Sequence, residues 1–193
     1  MSGRQILMRN TLVALCFAVP AVFLLPTNGN IPAVIFAIVW ALFFEYGYHR
    51  WLQHRPGTVF ADKHRQHHGT YRQWNEENHL NFGGHPIFII ALFGLNGVFL
   101  AVLDFVFRIN WLPAAMLTFV AYFITMEIAH RRIHLDLWMP FGLGVRHHHG
   151  HHMYPPRNFS VFIPLMDCIF GTRREKSTIP NPKGRDSGPK NSS

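Results

Sequence analysis

The sequence predicts an all-α integral membrane protein. Its four transmembrane helices form two hairpins, and a cytoplasmic helical cap carries clusters of histidine. Three observations lead there. Hydrophobic residues make up 49% of the 193-residue chain and charged residues only 15%, against roughly 25% charged in soluble domains. Four apolar segments approach the length of about 20 residues that a spanning helix needs. The 14 histidines collect in the polar stretches that follow or precede those segments, at one end of them.

The apolar segments run over 11–26, 31–48, 86–107 and 112–128. The third is long enough alone; the first two need their flanks. "TNGN" (27–30) is a turn signal that joins the first pair, and "RINW" (108–111) joins the second. Residues 1–172 thus read as one membrane domain. The remainder, 173–193, is rich in Pro, Gly, Ser and Lys and reads as a disordered basic tail. The two cysteines, Cys16 and Cys168, have neither metal nor redox spacing.

The net charge of +8 follows the topology. Arg4 and Arg9 precede the first segment. Arg50, Arg55, Lys63, Arg65 and Arg72 lie between the hairpins, and the rest follow the fourth segment. Among the 18 basic residues only Arg108 falls in a far-side link. The positive-inside rule makes the basic side cytoplasmic, so the charge needs no nucleic-acid partner. A short apolar start with "VPA" at 19–21 resembles a cleavable leader. Cleavage would put most positive charge outside, so a retained anchor is expected.

The histidines group by spacing: His49 and His54; His64, His67 and His68; His130 and His134; His148, His151 and His152. Positions i, i+3 and i+4 share a helix face, so each H-x-x-H-H triplet can present three imidazoles to one spot. His130 and His134 have the i, i+4 spacing that lets two ligands hold one metal. His49 and His54 lie roughly 140° apart on an α-helix; they reach two neighbouring ions, or the helix ends between them. Ten imidazoles exceed one ion's needs and imply two, and they suit Zn, Fe, Cu or Ni alike. His79, His85, His147 and His149 belong to no group and are expected beside the site or in solvent.

Glu45 precedes His49 by four residues, and Glu127 precedes His130 by three. Each can accept a hydrogen bond from its histidine's free ring nitrogen and fix the tautomer. A Glu-x-x-His pair can also ligate directly; the supporting role is the expectation. Two other functions share these features. A zinc or nickel transporter needs polar ligands near the bilayer midplane, where the third segment offers only Asn96 and Asp104. A bis-histidine haem carrier needs facing histidines within helices, whereas these crowd one end.

Taken together, "EYGYHRWLQH", "DKHRQHHGTY", "MEIAHRRIHL" and "RHHHGHHMYPPRNFSV" resemble the four histidine boxes of the membrane fatty acid hydroxylase superfamily, which includes sterol desaturases. "LMDCIFGT" is similar to the family's closing Trp-Asp-x-Leu-Phe-Gly-Thr. The resemblance runs from about Glu45 to Thr172. Ser160 replaces the usual Gly and Met166 a frequent Trp, and the H-D signature of carotene hydroxylases is missing around His130.

The resemblance implies a non-haem centre of two Fe ions, with Zn an occupant as purified, that uses O2 to hydroxylate or desaturate a lipid such as an acyl chain or sterol. It implies His49, His54, His64, His67, His68, His130, His134, His148, His151 and His152 as metal ligands, with Asn158 and Asp167 in support. With no flavin or nicotinamide fingerprint here, it implies electrons from a separate donor such as cytochrome b5 or ferredoxin. The expected setting is the cytoplasmic face of a bacterial inner membrane or of the endoplasmic reticulum.

Overall fold

The structure is a computed structural model that describes residues 2–25, 30–80 and 85–174. Most of the turn expected at 27–30 and nearly all of the 173–193 tail lie outside the described residues. Among the described residues the chain is helical, with no strand, and four helices are long and apolar enough to cross a membrane. These are α1 (Gly3–Phe23), α2 (Ile31–Gly47), α4 (Ile87–Phe107) and α5 (Leu112–His134). The cap is built from α3 (Ala61–Gly69), α6 (Val145–Met153) and the short α7 (Leu165–Ile169).

Local signals set the helix ends. The Ser2 hydroxyl and the Gln5 side chain bond each other's backbone in a capping box, so α1 starts eight residues before its apolar run. Asn30 caps α2 by accepting the Ala33 N–H, with Pro32 in the first turn. Between α4 and α5, Arg108 and Asn110 adopt left-handed φ of 52° and 54°. The Asp104 carboxylate accepts the N–H groups of Trp111 and Leu112 at 2.6 and 3.3 Å. Asn96 is also engaged, accepting from the Trp40 indole at 2.8 Å and donating to the Leu92 carbonyl. Both polar residues that a transporter would need in this helix are therefore spent on structure.

α5 is the central helix. Half of its apolar window is buried, against 28% for α1 and α4 and 33% for α2, so the other three wrap it and turn apolar faces outward. Small residues make this close: Ala14, Ala18 and Ala21 on α1 and Ala33, Ala37 and Ala41 on α2 are buried at helical spacing. Phe93, Phe119 and Phe123 fill the space between α4 and α5 with edge-on ring contacts. Apolar side chains such as Leu12, Val19, Leu95 and Phe105 stay exposed, as lipid-facing positions require.

Two departures from α-helical geometry place the cap. After Gly47 the chain continues as a π-helix, Tyr48–Gln53, where bonding i→i+5 widens the turn. The His54 N–H reaches the His49 carbonyl at 3.1 Å. Gly144 starts α6 with φ 74°, and a Cβ there would lie 2.5 Å from the Phe162 Cα. Only glycine lets α6 approach the 159–163 segment this closely.

Candidate metal centre

Ten ring nitrogens converge in two groups, and each group could hold a metal ion. His49, His54, His64, His68 and His151 form one group; His67, His130, His134, His148 and His152 form the other. Within each group the candidate ligand atoms lie within 4.8 Å of one another. In the first, successive Nε2 atoms are 2.9 to 3.3 Å apart around the ring His49, His64, His68, His151 and His54. In the second, the Nε2 atoms of His134 and His148 are 2.9 Å apart.

The grouping corrects the expectation that each H-x-x-H-H triplet serves one spot. His64 and His68 go to the first group and His67 to the second; His148 and His152 go to the second and His151 to the first. The helix accounts for both splits. The i+4 residue turns about 40° one way from residue i, while the i+3 residue turns about 60° the other way. Helices α3 and α6 therefore lie across both groups, each giving an i, i+4 pair to one and its i+3 histidine to the other. His130 and His134 obey the same rule and share the second group. The π-helix supplies the exception, bringing His49 and His54, five apart, into one group, where an α-helix would separate them.

The chemistry of the donor set fits two cations. The His49 Nδ1 donates to the Phe159 carbonyl and the His151 Nδ1 to the Arg157 carbonyl. A carbonyl only accepts, so those Nδ1 atoms carry the protons and both Nε2 atoms present lone pairs. Where neighbouring Nε2 atoms both present lone pairs at such distances, they repel unless a cation lies among them. Neighbouring ligands at right angles on bonds of about 2.1 Å would be about 3 Å apart, the spacing found here.

Burial holds these imidazoles neutral, the metal-binding form. Burial first, and repulsion among the neighbouring rings second, lower His64, His67, His148, His151 and His152 well below the ordinary histidine range. The same desolvation takes His54 to about 4 and His68 to about 3. An unfolded chain takes up protons near pH 6.5, whereas the folded rings resist until much lower pH. Stability is therefore fully present above about pH 6.5 and falls as pH drops toward 4. The metal-free protein should melt at a markedly lower temperature at pH 5 than at pH 7.5; equal melting temperatures would refute the burial of neutral rings.

The remaining predicted residues take other places. Glu45 does not hold His49, whose Nδ1 is committed to Phe159. Its carboxylate accepts the Val161 N–H at 2.6 Å and the Tyr122 hydroxyl. Glu127 accepts from the Asn10 amide at 3.0 Å. Both acids sit outside the two groups. They tie α5, α2 and α1 to one another and to the 159–163 segment. Among the described residues, an acid that does reach a ring nitrogen of the two groups is Glu76, 2.5 Å from the His134 Nδ1. It opens a single-turn 3-10 helix, Glu76–His79, in the polar link between α3 and α4, too short for any periodicity to single it out.

Asp167 receives the N–H groups of Phe159 and Ser160, the Thr172 hydroxyl and the His147 ring. Burial alone would raise this carboxyl; the His147, Thr172 and Ser160 bonds outweigh it and hold the group at about 2. Asn158, at φ 57°, donates to the His147 carbonyl and accepts the Arg174 N–H. His147 and His149 are not solvent-facing: His147 is bonded to Asp167, and the buried His149 to the Tyr71 hydroxyl at 2.6 Å. The Tyr71 ring in turn stacks on His152. His85 is exposed and bonds the Ile87 N–H at the start of α4, and both His79 and His85 line a cavity.

That cavity, about 330 Å3, lies among α2, α4 and α5. One part is walled by Phe44, Leu92, Phe119, Phe123 and Met126, and the other by His49 and His64 of the first group and His67, His130 and His148 of the second. An apolar space between spanning helices thus opens onto both histidine groups.

Fold and site together define a helical membrane protein with two adjacent histidine clusters suited to metal. Residues 34–172 match the model of the fatty acid hydroxylase family. The chain belongs to that family, within the sterol desaturase/fatty acid hydroxylase superfamily. No curated protein and no solved structure gives a significant match.

Proposed function

We propose that the protein is a membrane di-iron oxygenase that hydroxylates, or desaturates, a C–H position of a lipid, using O2 and electrons from a separate carrier. The observation that carries this reading is the cavity joining the apolar helix interior to both histidine groups. The family supports an oxidoreductase acting on lipids. In this reading His49, His54, His64, His68 and His151 hold one ion, and His67, His130, His134, His148 and His152 the other. The one-sided basic residues support a cytoplasmic position for this end by the positive-inside rule, within reach of a soluble or membrane-tethered electron donor.

The iron pair supplies O2 reduction: for hydroxylation one oxygen atom enters the lipid and the other leaves as water, consuming two electrons and two protons. The chain's own groups do the rest. Phe44, Leu92, Phe119 and Phe123 bind the apolar chain and exclude water. The carbonyls of Phe159 and Arg157 fix the tautomers of His49 and His151. Asp167 holds the turn that carries Phe159 in place.

Lipid profiles of a deletion strain and of the same strain complemented with this chain test the reading. A lipid class that gains the mass of one oxygen on complementation indicates hydroxylation; loss of two hydrogens indicates desaturation. Identical profiles in every lipid class would overturn the proposal.

A further inference from the structure

The two histidine groups are supported differently. In the first, the outer ring nitrogens of His49 and His151 meet backbone carbonyls, which are neutral. In the second, the outer nitrogen of His134 meets a carboxylate: the Glu76 Oε1 lies 2.5 Å from Nδ1, with both side chains almost wholly buried.

Glu76 is itself held. Its second oxygen accepts the Arg72 N–H at 2.8 Å, and Arg72 adopts a left-handed φ of 61°, which turns that N–H inward. The next residue, Glu77, pairs with Arg131, which lies one turn before His134 on α5. The start of α1 closes over the same link: a Cβ on Gly3 would lie 1.9 Å from the Glu77 carbonyl oxygen. The carboxylate therefore reaches His134 from a segment clamped between α1 and α5.

We propose that Glu76 is a positioning residue that orients His134 and, through its negative charge, makes the group of His67, His130, His134, His148 and His152 the tighter of two unequal ion sites. A carboxylate bonded to a ligating imidazole fixes its tautomer and raises its basicity more than a neutral carbonyl does. The inference rests on the two-ion reading above and adds an order to it: the second group fills first and releases its ion last.

The test is an anaerobic titration of metal-stripped protein with Co2+ alone, read by absorbance and calorimetry. The wild type should bind in two phases of different affinity. Glu76→Gln keeps the shape and an acceptor but removes the charge. It should weaken the tighter phase by about 10–100-fold while leaving the weaker phase and the helical content unchanged. Asp62→Asn, which removes an exposed carboxylate paired, among the described residues, only with the exposed Arg65 on α3, should leave both phases unchanged.

Two backgrounds assign the phases. With His49→Ala and His151→Ala removing the first group, Glu76→Gln should still weaken the remaining site. With His130→Ala and His148→Ala removing the second, it should have no effect. Equal weakening of both phases, no weakening, or a loss of helical content in Glu76→Gln would overturn the assignment. If the wild type takes up two Co2+ and Glu76→Gln behaves like it, only this inference falls. If the wild type takes up fewer than two, the two-ion reading falls with it.

Discussion

Replacing His151 with alanine should cost the protein one of its two ions and reduce lipid oxidation to background, while the same change two positions earlier, at His149, should leave both ions bound. The two side chains are equally buried and lie on the same helix, so hydrophobicity and helix propensity do not distinguish them. Their ring nitrogens do. The His151 Nε2 lies 3.1 Å from those of His54 and His68, and its Nδ1 is tied to the Arg157 carbonyl. The His149 Nδ1 is bonded to Tyr71, outside both groups. His149→Ala removes that bond and leaves a cavity, so it should lower the melting temperature. It should not change the metal count, measured by elemental analysis of the purified protein. Equal metal loss in the two variants would show that α6 is divided wrongly.

Asp167→Ala should be the most destabilising change outside the histidine groups. The carboxylate is fully buried and accepts four hydrogen bonds, two of them from the backbone of Phe159 and Ser160. Removing it leaves buried donors without partners, and loss of one member of a buried charged network costs about 3–5 kcal/mol. The consequences extend to the metal. Phe159 donates its N–H to Asp167 and its carbonyl accepts from the His49 ring, so the turn that orients His49 loosens. Thermal melting should show a large drop, and the first histidine group should lose affinity more than the second. A variant that melts like the wild type would contradict the network.

These residues were visible in the sequence to different degrees. The spanning helices were legible because a run of about 20 apolar residues fits little besides a membrane span. The α1 start was not, because a capping box at Ser2 extends the helix through polar residues. The ten clustered histidines stood out by spacing, but their division between two groups did not. That division depends on where α3 and α6 lie relative to both groups, which is a tertiary fact. Once the groups are seen, the offsets of about 40° and 60° within each triplet account for it.

That His49 and His54 share one group escaped for a different reason. Hydrophobic periodicity cannot announce a π-helix, and without one these two histidines point apart. For Glu45 and Glu127 a nearby acid on a shared face suggests a local bond; their bonds to distant segments, from Val161 and Asn10, could not be read from spacing. Glu76 was hidden in a polar link between elements, 58 residues from His134 in sequence. Asp167 was legible only as part of a resemblance; its four bonds explain physically why an acid belongs there.

The central claim is that ten histidines hold a pair of iron ions. It is tested most directly by counting iron in protein purified anaerobically after iron loading, by elemental analysis against quantitative amino-acid analysis. The expected result is about two ions per chain, falling to about one when either His151 or His130 is replaced by alanine. A wild-type count of one or none, or two ions retained in both variants, would contradict it.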